Sequence, residues 1–159
     1  MSRPQGWVRW VGLLGWVAIS FVPAWIGQQA TSPDWYQQLD QPAWAPPTFL
    51  FGPVWTLLYA LMGFAAWLVW LEGGFARAIV PLGIFLVQLV PNAAWSILFF
   101  GMRRMDLALL DIVLLWLLIV ATILTFFRIR RLAGLLLLPY LAWVTFATAL
   151  NFALWQMNP

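Results

Sequence analysis

Apolar residues fall into five long stretches along the chain, separated by shorter segments that contain most of the charges and the Gly/Pro clusters. A helix needs about 20 mostly apolar residues to cross a bilayer, and each stretch reaches that length. The pattern therefore predicts an all-α integral membrane protein, in which one domain over 1–159 forms a five-transmembrane-helix bundle. The predicted helices are 6–27, 49–71, 78–101, 107–127 and 132–157.

The first stretch has two interpretations, because Arg3 and Arg9 precede an apolar run as they do in a secretory signal peptide. This run contains Trp16, Pro23 and Trp25, and no small-residue cleavage site follows at the usual distance. We therefore interpret it as a retained helix.

Only the connection 28–48, between the first two predicted helices, is long. Long connections in compact proteins usually have a function. This one contains four prolines together with Trp35, Tyr36 and Trp44, whose rings are unfavourable in open water. We expect the segment 28–48, called the lid below, to fold onto the bundle.

Arginines are distributed unevenly between the two ends of the predicted helices. Six lie at the N-terminus or in the second and fourth connections, whereas two lie in the third connection. Because basic residues favour the cytoplasmic side, we expect a cytoplasmic N-terminus, with the lid and the C-terminus outside. Six tryptophans near helix ends are expected at headgroup level, namely Trp7, Trp10, Trp25, Trp67, Trp70 and Trp155.

Composition limits the chemistry that is available to this chain. Charged residues make up only 8% of it and hydrophobic residues 64%, which is unlike a soluble globular domain. The eight arginines are scattered, so we expect no nucleic-acid partner. Cysteine and histidine are absent from the sequence, which excludes disulfides, thiolate or imidazole metal ligands and His-dependent catalysis. We expect no metal and no resident cofactor.

Aromatic and polar side chains share one face on each of three predicted helices. One interpretation is that the rings only pack helix against helix. The other is a shared cavity in the outer half of the bundle, because Asn and Gln in hydrocarbon need partners. The three faces are Trp55, Tyr59 and Met62; Gln88, Asn92, Trp95 and Phe99; and Tyr140, Trp143, Ala147 and Asn151.

Pro91 lies inside the third predicted helix and lacks the N–H that would bond to the carbonyl of Val87. One interpretation is that the proline frees this carbonyl as a hydrogen-bond acceptor beside Gln88 and Asn92. The other is that the proline only causes a kink, which membrane helices tolerate.

Two carboxylates lie near the start of the fourth predicted helix. Asp106 is expected to cap this helix. Asp111 is one turn deeper, where a carboxylate is a functional candidate unless it is paired. We favour an ion pair of Asp111 with Arg103 or Arg104.

Several motifs together resemble one known family. They are Trp35-Tyr36, Pro42-Ala-Trp44-Ala-Pro46-Pro47, Phe51-Gly-Pro53-Val-Trp55, Gln88, Asn92, Trp95-Ser96, Phe99-Phe100-Gly101 and Pro139-Tyr140-Leu-Ala-Trp143. This pattern resembles the signature of the TspO family, the tryptophan-rich sensory proteins related to the mitochondrial translocator protein. The resemblance covers about residues 12–156.

The resemblance implies a five-helix bundle, commonly a homodimer, in a bacterial cytoplasmic membrane. It also implies a pocket under the lid that binds porphyrins such as protoporphyrin IX and other flat hydrophobic molecules. Matched position by position, the ligand-binding residues are Tyr36, Trp44, Pro46, Pro47, Trp55, Tyr59, Gln88, Asn92, Trp95, Phe99, Trp143 and Ala147.

The chain departs from the family pattern at three positions. Gln41 replaces the usual lysine, so the lid offers no cation there to a porphyrin carboxylate. Phe49 replaces a tryptophan, and Pro91 replaces a leucine. The C-terminal cholesterol motif of animal members is not matched by 150–159.

The leading hypothesis for function is a membrane receptor or sensor of porphyrins. An enzyme that degrades porphyrin in light is the first alternative, with Trp55 and Trp143 as its catalytic residues. The sequence shows no arrangement of general acid and base residues that would indicate another kind of enzyme, and a photoreaction driven by the substrate needs none. A transporter of tetrapyrroles or sterols and a purely structural protein also remain open, although the repeats typical of transporters are absent. For a homodimer, small residues at Gly12, Gly15, Gly83 and Ala93-Ala94 are the candidate interface.

Overall fold

The computed structural model describes residues 4–159, and every regular element in that range is helical. Arg3, which contributed to the predicted orientation, lies outside the described residues. Five helical segments are long and apolar enough to cross a membrane, which confirms the predicted fold class. In chain order these spans are Trp7–Ala30, Thr48–Trp70, Gly74–Gly101, Met105–Ile129 and Arg131–Met157.

The first span consists of two helices rather than the single helix that was predicted. Helix α1 is Trp7–Ser20 and helix α2 is Val22–Ala30, with a break at Phe21. Pro23 lies in the first turn of α2, where its missing N–H leaves no helical bond unmade. A continuous helix would have required that N–H, so the break follows from proline chemistry.

The lid is partly helical and is held against the bundle. Helix α3, Pro33–Gln37, is followed by irregular backbone and by a single 3₁₀ turn at Thr48–Leu50. Gln41 Nε2 donates a hydrogen bond to the carbonyl of Tyr36 at 3.0 Å, so its side chain stabilises the lid itself.

The second and third spans consist mainly of helices α4, Phe51–Trp70, and α5, Gly74–Ser96. Non-helical dihedral angles inside α5 occur only at Ala78, shortly before Pro81. The backbone stays helical through Pro91, so this proline does not break α5. Both interpretations of Pro91 are compatible with this geometry, because proline lacks the N–H in either case. A five-residue π-helix, Ile97–Gly101, completes the third span.

Helix α6, Met105–Ile129, forms the fourth span, and α7, Arg131–Leu136, with α8, Leu138–Met157, forms the fifth. Pro139 lies in the first turn of α8, next to the break at Leu137.

Helix α6 packs against both α5 and α8, while α4 packs against α1. At this last contact a Cβ on Gly63 would lie 2.5 Å from the Cα of Val17, so the two backbones touch.

Both predictions about the carboxylates of α6 are wrong. Asp106 does not cap the helix; Arg104 occupies the N-cap position, and its guanidinium pairs with Asp106 at 2.6 Å. Asp111 makes no ion pair within residues 4–159, and its Oδ2 is buried without a hydrogen-bond partner there. The reason is competition, because Arg104 reaches the nearer carboxylate and Arg103 lies 5.5 Å over the ring of Trp35.

The folded chain also bears on two further predictions, one about a glycine at a dimer interface and one about tryptophans at headgroup level. A Cβ on Gly12 would collide with the ring of Trp70, so this glycine serves packing within one subunit. Trp67 is buried, with 6% of its surface exposed, so its ring packs inside the bundle, where it stacks on Trp10. Trp7 and Trp10 are exposed, as residues at a membrane interface would be.

Candidate ligand-binding site

A cavity of about 400 Å³ lies beneath the lid and is lined by residues of the lid and of all five spans. Its volume is within the usual range for small-molecule sites. Eight of the predicted ligand-binding residues line it, namely Tyr36, Trp55, Tyr59, Asn92, Trp95, Phe99, Trp143 and Ala147. The helical faces deduced from the sequence therefore meet at one place.

The other four predicted residues do not line this cavity. Trp44 is half exposed and packs against Phe146, with their ring centroids 5.7 Å apart. Pro46 and Pro47 lead into the 3₁₀ turn at the start of the second span. Gln88 is buried behind the cavity wall, on the same face of α5 as Asn92.

A chain of buried hydrogen bonds forms the wall between α4, α5 and α8. Tyr59 donates its hydroxyl to Asn92 Oδ1 at 2.7 Å, and Asn92 Nδ2 donates to the hydroxyl of Tyr140. The Tyr140 hydroxyl in turn donates to Gln88 Oε1 at 2.8 Å. Gln88 Nε2 is buried without a partner within residues 4–159, but the hydroxyls of Tyr59 and Tyr140 and the amide of Asn92 satisfy one another, and such bonds rigidify the surrounding structure. The network thus fixes the orientation of Tyr59 and Asn92 at the cavity surface.

Trp95 provides a second fixed part of the wall. Its ring stacks on Phe99, with centroids 4.9 Å apart, and its Nε1 donates to Asn151 Oδ1 at 2.9 Å. Asn151 Nδ2 donates to the carbonyl of Met105 at 2.9 Å. Contacts with Phe99 in the third span and Asn151 in the fifth span therefore fix the indole in the absence of a ligand.

Trp55 and Trp143 border the cavity from α4 and α8. Trp55 stacks on Tyr59, with centroids 5.4 Å apart. Trp143 meets Phe51 edge to face at 6.0 Å, and its Nε1 is buried without a hydrogen-bond partner within residues 4–159. This N–H is a donor that an acceptor on a ligand can satisfy.

Tyr36 closes the cavity from the lid. Its ring lies 6.0 to 6.4 Å from those of Phe51, Phe99 and Phe100, centroid to centroid. Burial raises the pKa of Tyr36 above its ordinary value, so its hydroxyl stays protonated at neutral pH. That hydroxyl is buried and has no partner within residues 4–159.

No residue found to line the cavity carries a formal charge. Within residues 4–159 no group of three His, Cys, Asp or Glu side chains is close enough to hold a metal ion. The chemistry offered by the cavity is therefore aromatic stacking with a few hydroxyl, amide and indole hydrogen-bonding groups.

Sequence reasoning missed the part of the lining that comes from the first and fourth spans. Pro23, Ala24 and Gly27 contribute from α2, and Ile112 and Leu115 contribute from α6. The small residues at positions 24 and 27 lie one turn apart after a proline, and this spacing was a usable signal for a helix face that lines a cavity. Ile112 and Leu115 gave none, because aliphatic residues occur on every face of a membrane helix.

Five apolar spans around an aromatic, uncharged cavity define an α-helical integral membrane protein with an internal cavity under a lid. The sequence profile of the TspO/MBR family matches residues 12–156, so the chain belongs to that family.

Relatives match over most of this chain. A translocator protein from Homo sapiens is 40% identical over 154 residues, which cover 94% of this chain and 91% of the relative. A tryptophan-rich protein TspO from Chlorobaculum tepidum is 48% identical over 127 residues, covering 79% and 80%. A tryptophan-rich sensory protein from Cereibacter sphaeroides is 39% identical over 149 residues, covering 94% and 92%. The resemblance based on the motifs is confirmed.

Proposed function

We propose that the protein is a membrane receptor or sensor that binds porphyrins, protoporphyrin IX among them, and other flat hydrophobic molecules in the cavity beneath the lid. Membership of the TspO/MBR family supports the receptor or sensor role. One observation supports the site: aromatic side chains from the lid, α4, α5 and α8 line a single cavity.

The cavity suits the body of a porphyrin better than its carboxylates. A flat aromatic ring system stacks favourably on indole and phenol rings such as those of Trp55 and Tyr59. A carboxylate inside would lose its hydration without meeting a charged partner, which is costly. The carboxylates therefore remain at the lid, where the guanidinium of Arg103 over Trp35 offers a cation in place of the missing lysine.

Light-dependent porphyrin breakdown is the second candidate function. It is favoured by the placement of Trp55 and Trp143, which both border the cavity and would both face a bound porphyrin. The absorbing molecule would be the porphyrin itself, so the reaction needs no acid–base pair.

Titration of protoporphyrin IX in the dark, followed by tryptophan fluorescence, tests the receptor. We expect saturable quenching, with Trp55→Ala and Trp143→Ala weakening binding several-fold, since a stacked aromatic pair contributes about 1 kcal/mol. Trp116→Ala is the matched control. Trp116 lies outside the cavity, where its Nε1 donates to Thr145 Oγ1 at 2.8 Å. Quenching that never saturates, or equal effects of all three variants, would refute the receptor.

Illumination of the same samples tests the enzyme. Loss of the Soret band should be faster with protein than without it, and Trp55→Phe or Trp143→Phe should slow bleaching more than they weaken binding. Phenylalanine keeps an apolar ring but is much harder to oxidise than tryptophan. Binding without protein-dependent bleaching would retain the receptor and eliminate the enzyme.

A further inference from the structure

A second cavity, of about 510 Å³, lies at the end of the bundle opposite the lid. It forms where α1 begins, α4 ends and α7 begins. Unlike the aromatic cavity, it is lined largely by polar groups. Its lining residues are Pro4, Gln5, Gly6, Arg9, Leu71, Glu72 and Arg130.

The two arginines of this second cavity are held in place by separate contacts. Arg130 Nη1 donates to Glu72 Oε1 at 3.1 Å. The backbone carbonyl of Arg9 accepts a hydrogen bond from Trp67 Nε1 at 2.8 Å, which fixes the start of α1 against α4. The guanidinium of Arg9 makes no ion pair within residues 4–159. Two guanidiniums and one carboxylate leave this lining with an excess of positive charge.

The position of the second cavity along the helices matches the headgroup layer of a bilayer. Trp7 and Trp10 are 75% and 62% exposed in the same first turns of α1, and tryptophans gather at membrane interfaces. Basic pockets at such helix ends bind phosphate-bearing headgroups. Guanidinium groups suit this role because their N–H groups match phosphate oxygens geometrically.

We propose that the second cavity binds a phosphate-bearing anion, with Arg9 and Arg130 donating to the phosphate oxygens. The headgroup of an anionic phospholipid in the adjacent leaflet and free inorganic phosphate share this chemistry. The site does not depend on the proposed porphyrin receptor, since it involves none of the residues of the aromatic cavity.

Lipid retention by the whole protein tests the proposal. The protein in mild detergent is mixed with phosphatidylglycerol or phosphatidylcholine of the same acyl chains, and bound lipid is counted by native mass spectrometry. We expect preferential retention of phosphatidylglycerol, weakened about five-fold by Arg9→Gln or by Arg130→Gln. Arg128→Gln is the matched control, because Arg128 lies in the last turn of α6, at the same end of the bundle, but outside the cavity.

Arg9→Gln leaves the Glu72–Arg130 pair intact, so it tests the site even if Arg130→Gln fails to fold. Addition of millimolar inorganic phosphate separates the two sources. Displacement of the lipid would identify a site for free phosphate as well, whereas no displacement would identify a headgroup site. Equal retention of the two lipids without any binding of phosphate would overturn the proposal. So would an equal loss of retention in Arg128→Gln.

Discussion

Asn158 and Asp40 are 118 residues apart in sequence, yet two hydrogen bonds join them. The N–H of Asp40 donates to Asn158 Oδ1 at 3.0 Å, and Asn158 Nδ2 donates to the carbonyl of Asp40 at 3.0 Å. The side chain of Asn158, which directly follows the fifth span, thus binds both backbone groups of one lid residue. The lid cannot move away from α8 without breaking both bonds.

Asn158→Ala should therefore speed both the entry and the release of protoporphyrin IX. Each hydrogen bond contributes roughly 1 kcal/mol, so we expect both rate constants to rise several-fold with little change in affinity. Stopped-flow quenching of tryptophan fluorescence measures both rates. Gln156→Ala is the control, since Gln156 is exposed on the same helix. Unchanged rates in Asn158→Ala would show that the lid does not control access.

Tyr140→Phe should destabilise the protein more than Tyr59→Phe does. Loss of the Tyr140 hydroxyl leaves both Asn92 Nδ2 and Gln88 Oε1 without their partners, whereas loss of the Tyr59 hydroxyl leaves only Asn92 Oδ1. We expect the free energy of unfolding to fall by about 2 kcal/mol and about 1 kcal/mol, respectively. Reversible unfolding in mixed micelles, followed by circular dichroism, gives both values. Equal losses would contradict the network.

Gly63→Ala should separate α1 from α4. The new methyl group would lie 2.5 Å from the Cα of Val17, which is backbone and cannot rotate away. Overpacking of this kind costs about 1–3 kcal/mol, seen as a lower thermal midpoint. The control is Gly52→Ala in the same helix, where the added Cβ would have no neighbour within 4 Å. A Gly63→Ala protein as stable as Gly52→Ala would show that the helices adjust freely.

The orientation in the membrane is tested by labelling single cysteines in this cysteine-free chain. Gln38→Cys in the lid should react with an impermeant maleimide from outside the cell. Ala76→Cys, at the Arg-rich end of the bundle, should react only after the cytoplasmic side is opened. The reverse pattern would invert the predicted topology.

A homodimer is expected from the family resemblance, and two of the proposed interface glycines are open to a partner. A Cβ on Gly15 or on Gly83 would meet nothing within 4 Å inside the subunit. Gly15→Phe or Gly83→Phe should lower the dimer fraction in nanodiscs, and the variant that does so identifies the interface. A wild-type protein that stays monomeric at every protein-to-lipid ratio would refute the dimer.

The spans and much of the cavity were predictable because two simple physical rules govern them. The bilayer requires about 20 apolar residues per crossing, and helical periodicity brings residues such as Asn92 and Trp95 to one face. The periodicity also grouped Tyr140 with Trp143, although only Trp143 lines the cavity. Which member of a face meets the cavity depends on how neighbouring helices rotate, and the sequence pattern does not specify that.

The remaining differences depend on choices between nearby partners. Asp106 and Asp111 were both within reach of the same arginines, and only the folded geometry showed that Arg104 pairs with Asp106. At the position of the family's lysine, the amide of Gln41 donates to the lid backbone, a contact that the sequence pattern did not indicate. Such choices turn on distances of a few ångström, which spacing along a helix cannot resolve.

The absence of formal charge from the aromatic cavity determines how its binding should respond to salt. Mobile ions screen interactions between charges, and stacking on neutral rings offers them nothing to screen. Affinity for an uncharged flat ligand should thus stay constant as ionic strength rises. The arginine-lined cavity at the opposite end should lose its anion over the same range, so the two ends of one small bundle differ in their sensitivity to the surrounding electrolyte.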